Sequence, residues 1–175
     1  VDNYLLRSLI GGAFSGTSDQ MIDDCVSKIK ETESFDVDQL FDVILSKGRS
    51  LELSEERLWQ IGYNSPTIHL LFNLWYRKFN YTPSYENNLP QIDHIFPQSA
   101  LRRIKVASPD TGRMSLMKYR QDCRDQLANC MLLTAEENGA GGKTDILPHV
   151  WFEDKSDYYL DMHLIPPDKK LWGIN

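Results

Sequence analysis

Ile92-Asp93-His94-Ile95-Phe96-Pro97-Gln98-Ser99 is a short apolar run interrupted by two chemically active side chains and stopped by a proline. Its length and apolar content read as a strand over Ile92–Phe96. Successive strand residues point to opposite faces, so Asp93 and His94 can serve one site only where the strand ends or twists, and Pro97 supplies an ending. Downstream, Leu127 to Thr134 reads as a second strand. Ala135-Glu136-Glu137-Asn138 then begins a turn or helix that Gly139, Gly141 and Gly142 break. The connection over 98–125 is polar and basic and is expected to be partly helical. Residues 81–91, with Pro83, Asn87, Asn88 and Pro90, read as a linker.

Upstream the texture is helical. Tyr4, Leu5, Leu6, Leu9 and Ile10 share a helical face that Gly11-Gly12 ends. Ser18 or Asp19 caps a helix carrying Met21, Ile22, Val26 and Ile29. Asp36 or Asp38 starts a third, running through Leu40, Phe41, Ile44 and Leu45 to Gly48, and Ser54-Glu55-Glu56 opens a fourth. Residues 66–80 form the most apolar helix and are expected to be buried. These readings divide the chain into a helical subdomain over 1–80 and a second domain over 81–175.

Three pieces of the second domain carry chemistry: Asp93-His94, Asn129 and Asn138, with Lys143 close behind. Phosphodiester hydrolysis needs a base that works near neutral pH, which suits a histidine such as His94. It also needs a divalent cation to offset charge on the phosphorane and leaving oxygen. A hard cation prefers oxygen donors and keeps several waters. Asp93 and Asn138 offer one carboxylate and one amide oxygen for such a shell. Gly139-Ala140-Gly141-Gly142-Lys143 lacks the spacing and the Ser/Thr of a phosphate loop, so nucleotide binding is not expected there.

Asp93-His94-Ile95-Phe96-Pro97-Gln98-Ser99, followed by Leu127-Ala128-Asn129-Cys130-Met131-Leu132-Leu133 and by Glu137-Asn138 with Lys143, resembles the HNH endonucleases over about residues 91–152. The resemblance implies an α+β chain, a mainly helical N-terminal half followed by a ββα-metal (HNH) nuclease motif. It implies His94 as general base, Asp93 and Asn138 as ligands of one Mg²⁺ or Mn²⁺ ion, and Asn129 as a brace that helps orient the histidine. It places Lys143 at a phosphate. With Tyr4-Leu5-Leu6-Arg7, Phe14-Ser15-Gly16 and Pro148-x-x-Trp151-Phe152, the chain also resembles the C-terminal part of GmrSD-type bacterial restriction and phage-defence proteins, including members that act beside DNA phosphorothioation. That layout implies double-stranded phage DNA as substrate and an N-terminal nucleotide-hydrolysing domain as partner. Two departures stand out. His94 and Asn129 are 35 positions apart, and Lys143 lies five residues beyond Asn138 across a glycine-rich turn.

The long gap holds Arg102, Arg103, Lys105, Arg113, Lys118, Arg120 and Arg124, a candidate phosphate-tracking insertion in which Arg102, Arg103 and Lys105 are the first expected DNA contacts. The whole chain carries a net charge of −6, which argues against nucleic-acid binding. Its distribution argues the other way, since residues 91–130 alone are net positive, at +3. Cys25, Cys123 and Cys130 form no paired pattern and read as small core residues in a reducing, cytoplasmic setting. No apolar run approaches the ~20 residues of a membrane span. The start at Val1-Asp2-Asn3-Tyr4, without Met or a signal pattern, reads as a piece of a longer protein. His69 reads as structural, His149 as structural or DNA-contacting, His163 has no partner legible in the sequence, and Trp151-Phe152 read as core. Three functional readings stand: a metal-dependent, nicking DNA endonuclease, a catalytically decayed binding module, and an RNase of the same fold.

Overall fold

Residues 2–16, 18–76 and 90–174 are described by the structure, a computed structural model. They form two compact units, Val1–Gln60 and Ile61–Asn175. The linker expected over 81–91, and with it the boundary at 80/81, falls on undescribed residues except for Pro90 and Gln91.

The first unit is helical, as its apolar spacing predicts. It holds α1 (Asp2–Ile10), α2 (Ser18–Thr32), α3 (Val37–Ser46) and α4 (Glu55–Trp59). The Asp36 carboxylate accepts from the Asp38 amide and the Ser54 hydroxyl from the Arg57 amide, satisfying donors that a helix start leaves open. Met21, Cys25, Leu40, Phe41, Ile44 and Leu51 form the core, with Tyr4 stacked on Phe41 at its edge.

The second unit is α+β. It begins with α5 (Ile68–Trp75), which buries Ile68, Leu71 and Phe72 but leaves Trp75 42% exposed. The expectation of a wholly buried helix over 66–80 is therefore corrected to an amphipathic one within the described residues. β1 (Gln91–His94) follows, then α6 (Gln98–Arg103), a hairpin of β2 (Lys105–Ala107) and β3 (Met114–Met117), and α7 (Gln121–Arg124). A 3-10 turn over Leu127–Asn129 leads into β4 (Cys130–Leu133), and α8 (Ala135–Asn138) completes a ββα region. β1 and β4 are antiparallel, with His94 opposite Cys130 and Asp93 opposite Met131. The chain closes with α9 (Pro148–Trp151), α10 (Asp157–Met162) and a 3-10 turn over Lys169–Trp172.

All four residues of β4 are buried. Met131 and Leu133 pack on Phe152, Leu160, Ile165 and Trp172, and Trp151 lies against the same cluster, as expected for core. Cys25 and Cys130 are buried, whereas Cys123 is exposed and departs from the core reading. Among the described residues, no helix is long and apolar enough to cross a membrane.

Candidate active site

β1 ends at His94, which is paired with Cys130, the first residue of β4. His94 is 6% exposed, and its imidazole stacks on Tyr63, with ring centroids 4.1 Å apart at 28°. Its Nε2 lies 3.1 Å from Asp125 Oδ1 and 3.1 Å from Gln98 Nε2, which itself donates to Asp125 at 2.8 Å. Nε2 can donate to Asp125 or accept from Gln98, but not both. In the first arrangement the lone pair is on Nδ1, the tautomer a base needs if Asp125 orients the ring. Burial raises the pKa of the Tyr63 phenol, and the Asp93 and Asp125 carboxylates add to the shift.

Asn129 sits where the 3-10 turn enters β4. Its side-chain oxygen accepts from the Phe96 amide at 2.8 Å, and its nitrogen donates to the Phe96 carbonyl at 3.2 Å and the Arg124 carbonyl at 2.8 Å. The segment just after His94 is thus clamped to the start of β4 through both polar groups of one amide. Pro97 follows as the N-cap of α6, which carries Gln98 back under the imidazole.

Asp93 and Lys143 meet across 50 positions. Lys143 has no exposed surface, and its Nζ lies 3.0 Å from Asp93 Oδ2 and also donates to the His94 carbonyl. Burial pushes the ammonium pKa down, against the upward pull of the Asp93 carboxylate. The expectation that Lys143 contacts a phosphate is corrected: its head group points inward and ties β1 down. The glycine-rich turn makes this possible. A Cβ on Gly142 would lie 2.0 Å from the Glu137 carbonyl oxygen, so only glycine lets the chain double back this closely. Thr144, the residue after Lys143, holds φ at 36°, a conformation unusual for a β-branched residue.

Asn138, at the end of α8, donates to the Gln91 side chain at 2.6 Å. Gln91 and Asp93 alternate onto one face of β1. The donors on this face are oxygens: a carboxylate whose Oδ1 has no hydrogen bond among the described residues, and two side-chain amides. Such donors suit a hard cation in kind. No group of three or more His, Cys, Asp or Glu able to hold a metal occurs among the described residues. A metal here would rest on one carboxylate, amide oxygen and water, a set that Mg²⁺ accepts. The Cys130 thiol is no competitor, since burial pushes its pKa up to about 12.

Arg102, Arg103 and Lys105 are exposed. Arg102 Nη2 donates to Gln98 Oε1 at 2.5 Å, linking an exposed guanidinium to the side chain that touches His94 and Asp125. Arg124 is 4% exposed and donates to the Tyr119 carbonyl at 2.7 Å, so it anchors the connection from below and does not track phosphates. His69 and His149 are exposed, and His163 is buried against Tyr159. Tyr63, Gln91, Gln98 and Asp125 were missed in the sequence. Only Gln98 carried a signal, lying four residues after His94 inside the quoted motif.

No curated protein and no solved structure matches the chain. Residues 50–174 match the family model of the C-terminal domain of GmrSD restriction endonucleases. That match covers most of the chain and contains the β1–β4–α8 region with every side chain of the site, so the chain belongs to the GmrSD restriction endonuclease C-terminal domain family.

Proposed function

We propose that this chain is an HNH-type, metal-dependent endonuclease that nicks double-stranded DNA, with His94 as general base. The observation that carries this reading is the imidazole held between Tyr63, Gln98 and Asp125 at the end of the strand that also carries Asp93. Asp125 accepts the Nε2 proton and leaves the Nδ1 lone pair to take a proton from the attacking water. Asn129 keeps the strand end from shifting, because its clamp on Phe96 fixes the backbone next to His94. Asp93 and Asn138 would hold one Mg²⁺ or Mn²⁺ ion, which supplies Lewis-acid stabilisation of the phosphorane and the leaving 3′ oxygen. The products are 5′-phosphate and 3′-hydroxyl ends. A single site with one base cuts one strand per encounter. The biological role proposed is that of effector in a bacterial anti-phage restriction protein, in which a nucleotide-hydrolysing segment does the sensing and phosphorothioation is one candidate mark.

Conversion of supercoiled plasmid in Mg²⁺ tests the reading. Open circles should form before linear DNA, and Asp93→Ala and Asn138→Ala should each lower the rate by about 10²-fold or more. Metal binding that depends on Asp93 without cleavage of any nucleic acid would support a decayed binding module instead. Faster cleavage of RNA than of DNA would support an RNase.

A further inference from the structure

The hairpin between β1 and β4 has no place in the catalytic constellation. All seven residues of β2 and β3 are exposed. Four of them are apolar and large: Val106 at 37%, Met114 at 66%, Leu116 at 48% and Met117 at 43%. Val106 faces Leu116 across the ribbon, and a bulge separates Val106 from Ala107. Isolated two-stranded ribbons are marginal in water. This one is secured at its base, where the Lys118 amide donates to the Ile104 carbonyl at 3.0 Å and Arg124 donates to the Tyr119 carbonyl below it. A ribbon held up by such anchors, with its apolar side chains in solvent, presents an interaction surface.

Charge identifies the partner. Residues 102–120 contain Arg102, Arg103, Lys105, Arg113, Lys118 and Arg120, all exposed, against the single acid Asp110. In a chain of net charge −6, that density fits a polyanion, and it would repel a second copy of itself. The tip, Pro109-Asp110-Thr111-Gly112, is polar, so the apolar contact belongs to the body of the ribbon and not to a wedge at its end. The major groove of B-form DNA admits a two-stranded ribbon, and apolar side chains meet thymine methyls there.

We propose that the β2–β3 ribbon lies in the major groove of a B-form duplex next to the cut site, with Val106 and Leu116, paired across one face of the ribbon, against base edges and the flanking arginines and lysines on the two phosphate backbones. The proposal rests on the reading of duplex DNA as substrate. The ribbon starts two residues after Arg103, on the helix whose Gln98 touches His94, so the grip and the base share one support.

Binding to a labelled duplex in EDTA, read by fluorescence anisotropy on the whole chain, separates this proposal from the nuclease assignment. Val106→Ser with Leu116→Ser should weaken binding about tenfold, the loss of two apolar contacts, with an unchanged salt slope. Lys105→Gln with Arg113→Gln should lower the salt slope by about 2. Replacing thymine by deoxyuridine should weaken the parent and leave the serine variant unaffected. Duplex RNA, whose major groove is too narrow for the ribbon, should bind more weakly than DNA. Because the substituted side chains are exposed, melting temperatures should match the parent's. The proposal is overturned if the serine variant binds like the parent, if deoxyuridine has no effect, if duplex RNA binds as well as DNA, or if the serine substitutions turn a dimer into a monomer. A parent that binds no duplex at all removes the DNA reading itself, whereas a parent that binds and cuts normally alongside an unaffected serine variant removes only the ribbon's role.

Discussion

A wholly buried ammonium is costly unless its charge and its protons both find partners. Lys143 finds the Asp93 carboxylate and the His94 carbonyl, and so fixes the two residues on which the proposed chemistry depends. The pair is asymmetric, since the Asp93 side chain is 18% exposed and the Lys143 side chain 0%. Lys143→Met should therefore cost about 3 kcal/mol, because the carboxylate left behind can still reach water. Asp93→Asn should cost more, because it strands a buried charge. The double variant should be less unstable than the sum of the two, by more than about 0.5 kcal/mol in urea melts, and simple additivity would mean the pair is not coupled. Asp93 and His94 stood out in the sequence by their residue types, and Asn129 only through the family resemblance. The inward turn of Lys143 was not legible, since it comes from the close approach of Gly142 to Glu137 and not from any property of lysine. Asp125 and Tyr63 each lie 31 positions from His94, and nothing in their local sequence marks them as its neighbours.

Most elements were legible because each has a local cause. Asp36 and Ser54 cap α3 and α4, as read. Thr134 and Glu137 form a capping box that starts α8 immediately after β4. The second strand begins later than read, at Cys130, because Leu127–Asn129 winds into a 3-10 turn that aims Asn129 at Phe96. The hairpin in 104–118 was missed. Its strands are three and four residues long and exposed on both faces, so they carry no alternation of apolar and polar positions. The turn after α8 makes a sharp prediction. Gly142→Ala pushes a Cβ into backbone that cannot move away, and should cost about 3 kcal/mol and loosen Lys143. Gly141→Ala meets open space at φ +85°, and should cost only the roughly 1–2 kcal/mol of a left-handed alanine. Thermal melts of the two variants should therefore separate clearly. Equal melts would mean that the turn is not held by this contact.

For the whole molecule, acid is the expected weakness. His163 is buried with Tyr76 and Tyr159 around it, and burial lowers its pKa from 6.5 to about 4. The unfolded chain thus binds a proton at His163 that the folded chain refuses between those values. Stability from this residue is fully present above about pH 6.5 and is lost as pH falls toward 4, with a ceiling of about 3 kcal/mol. His163→Leu should flatten the pH dependence of the melting temperature across that window, and an unchanged slope would place the titration elsewhere. Net charge is a poor guide to this chain's partner, because its positive charge is concentrated in 91–130 while the rest is acidic. The central claim is that His94 removes the proton from the attacking water. Its most direct test is the single-turnover rate of plasmid nicking in Mg²⁺ for the parent and for His94→Ala, with matched melting curves. The account predicts a loss of about 10²–10⁴-fold in the folded variant, and a His94→Ala chain that nicks as fast as the parent would contradict it.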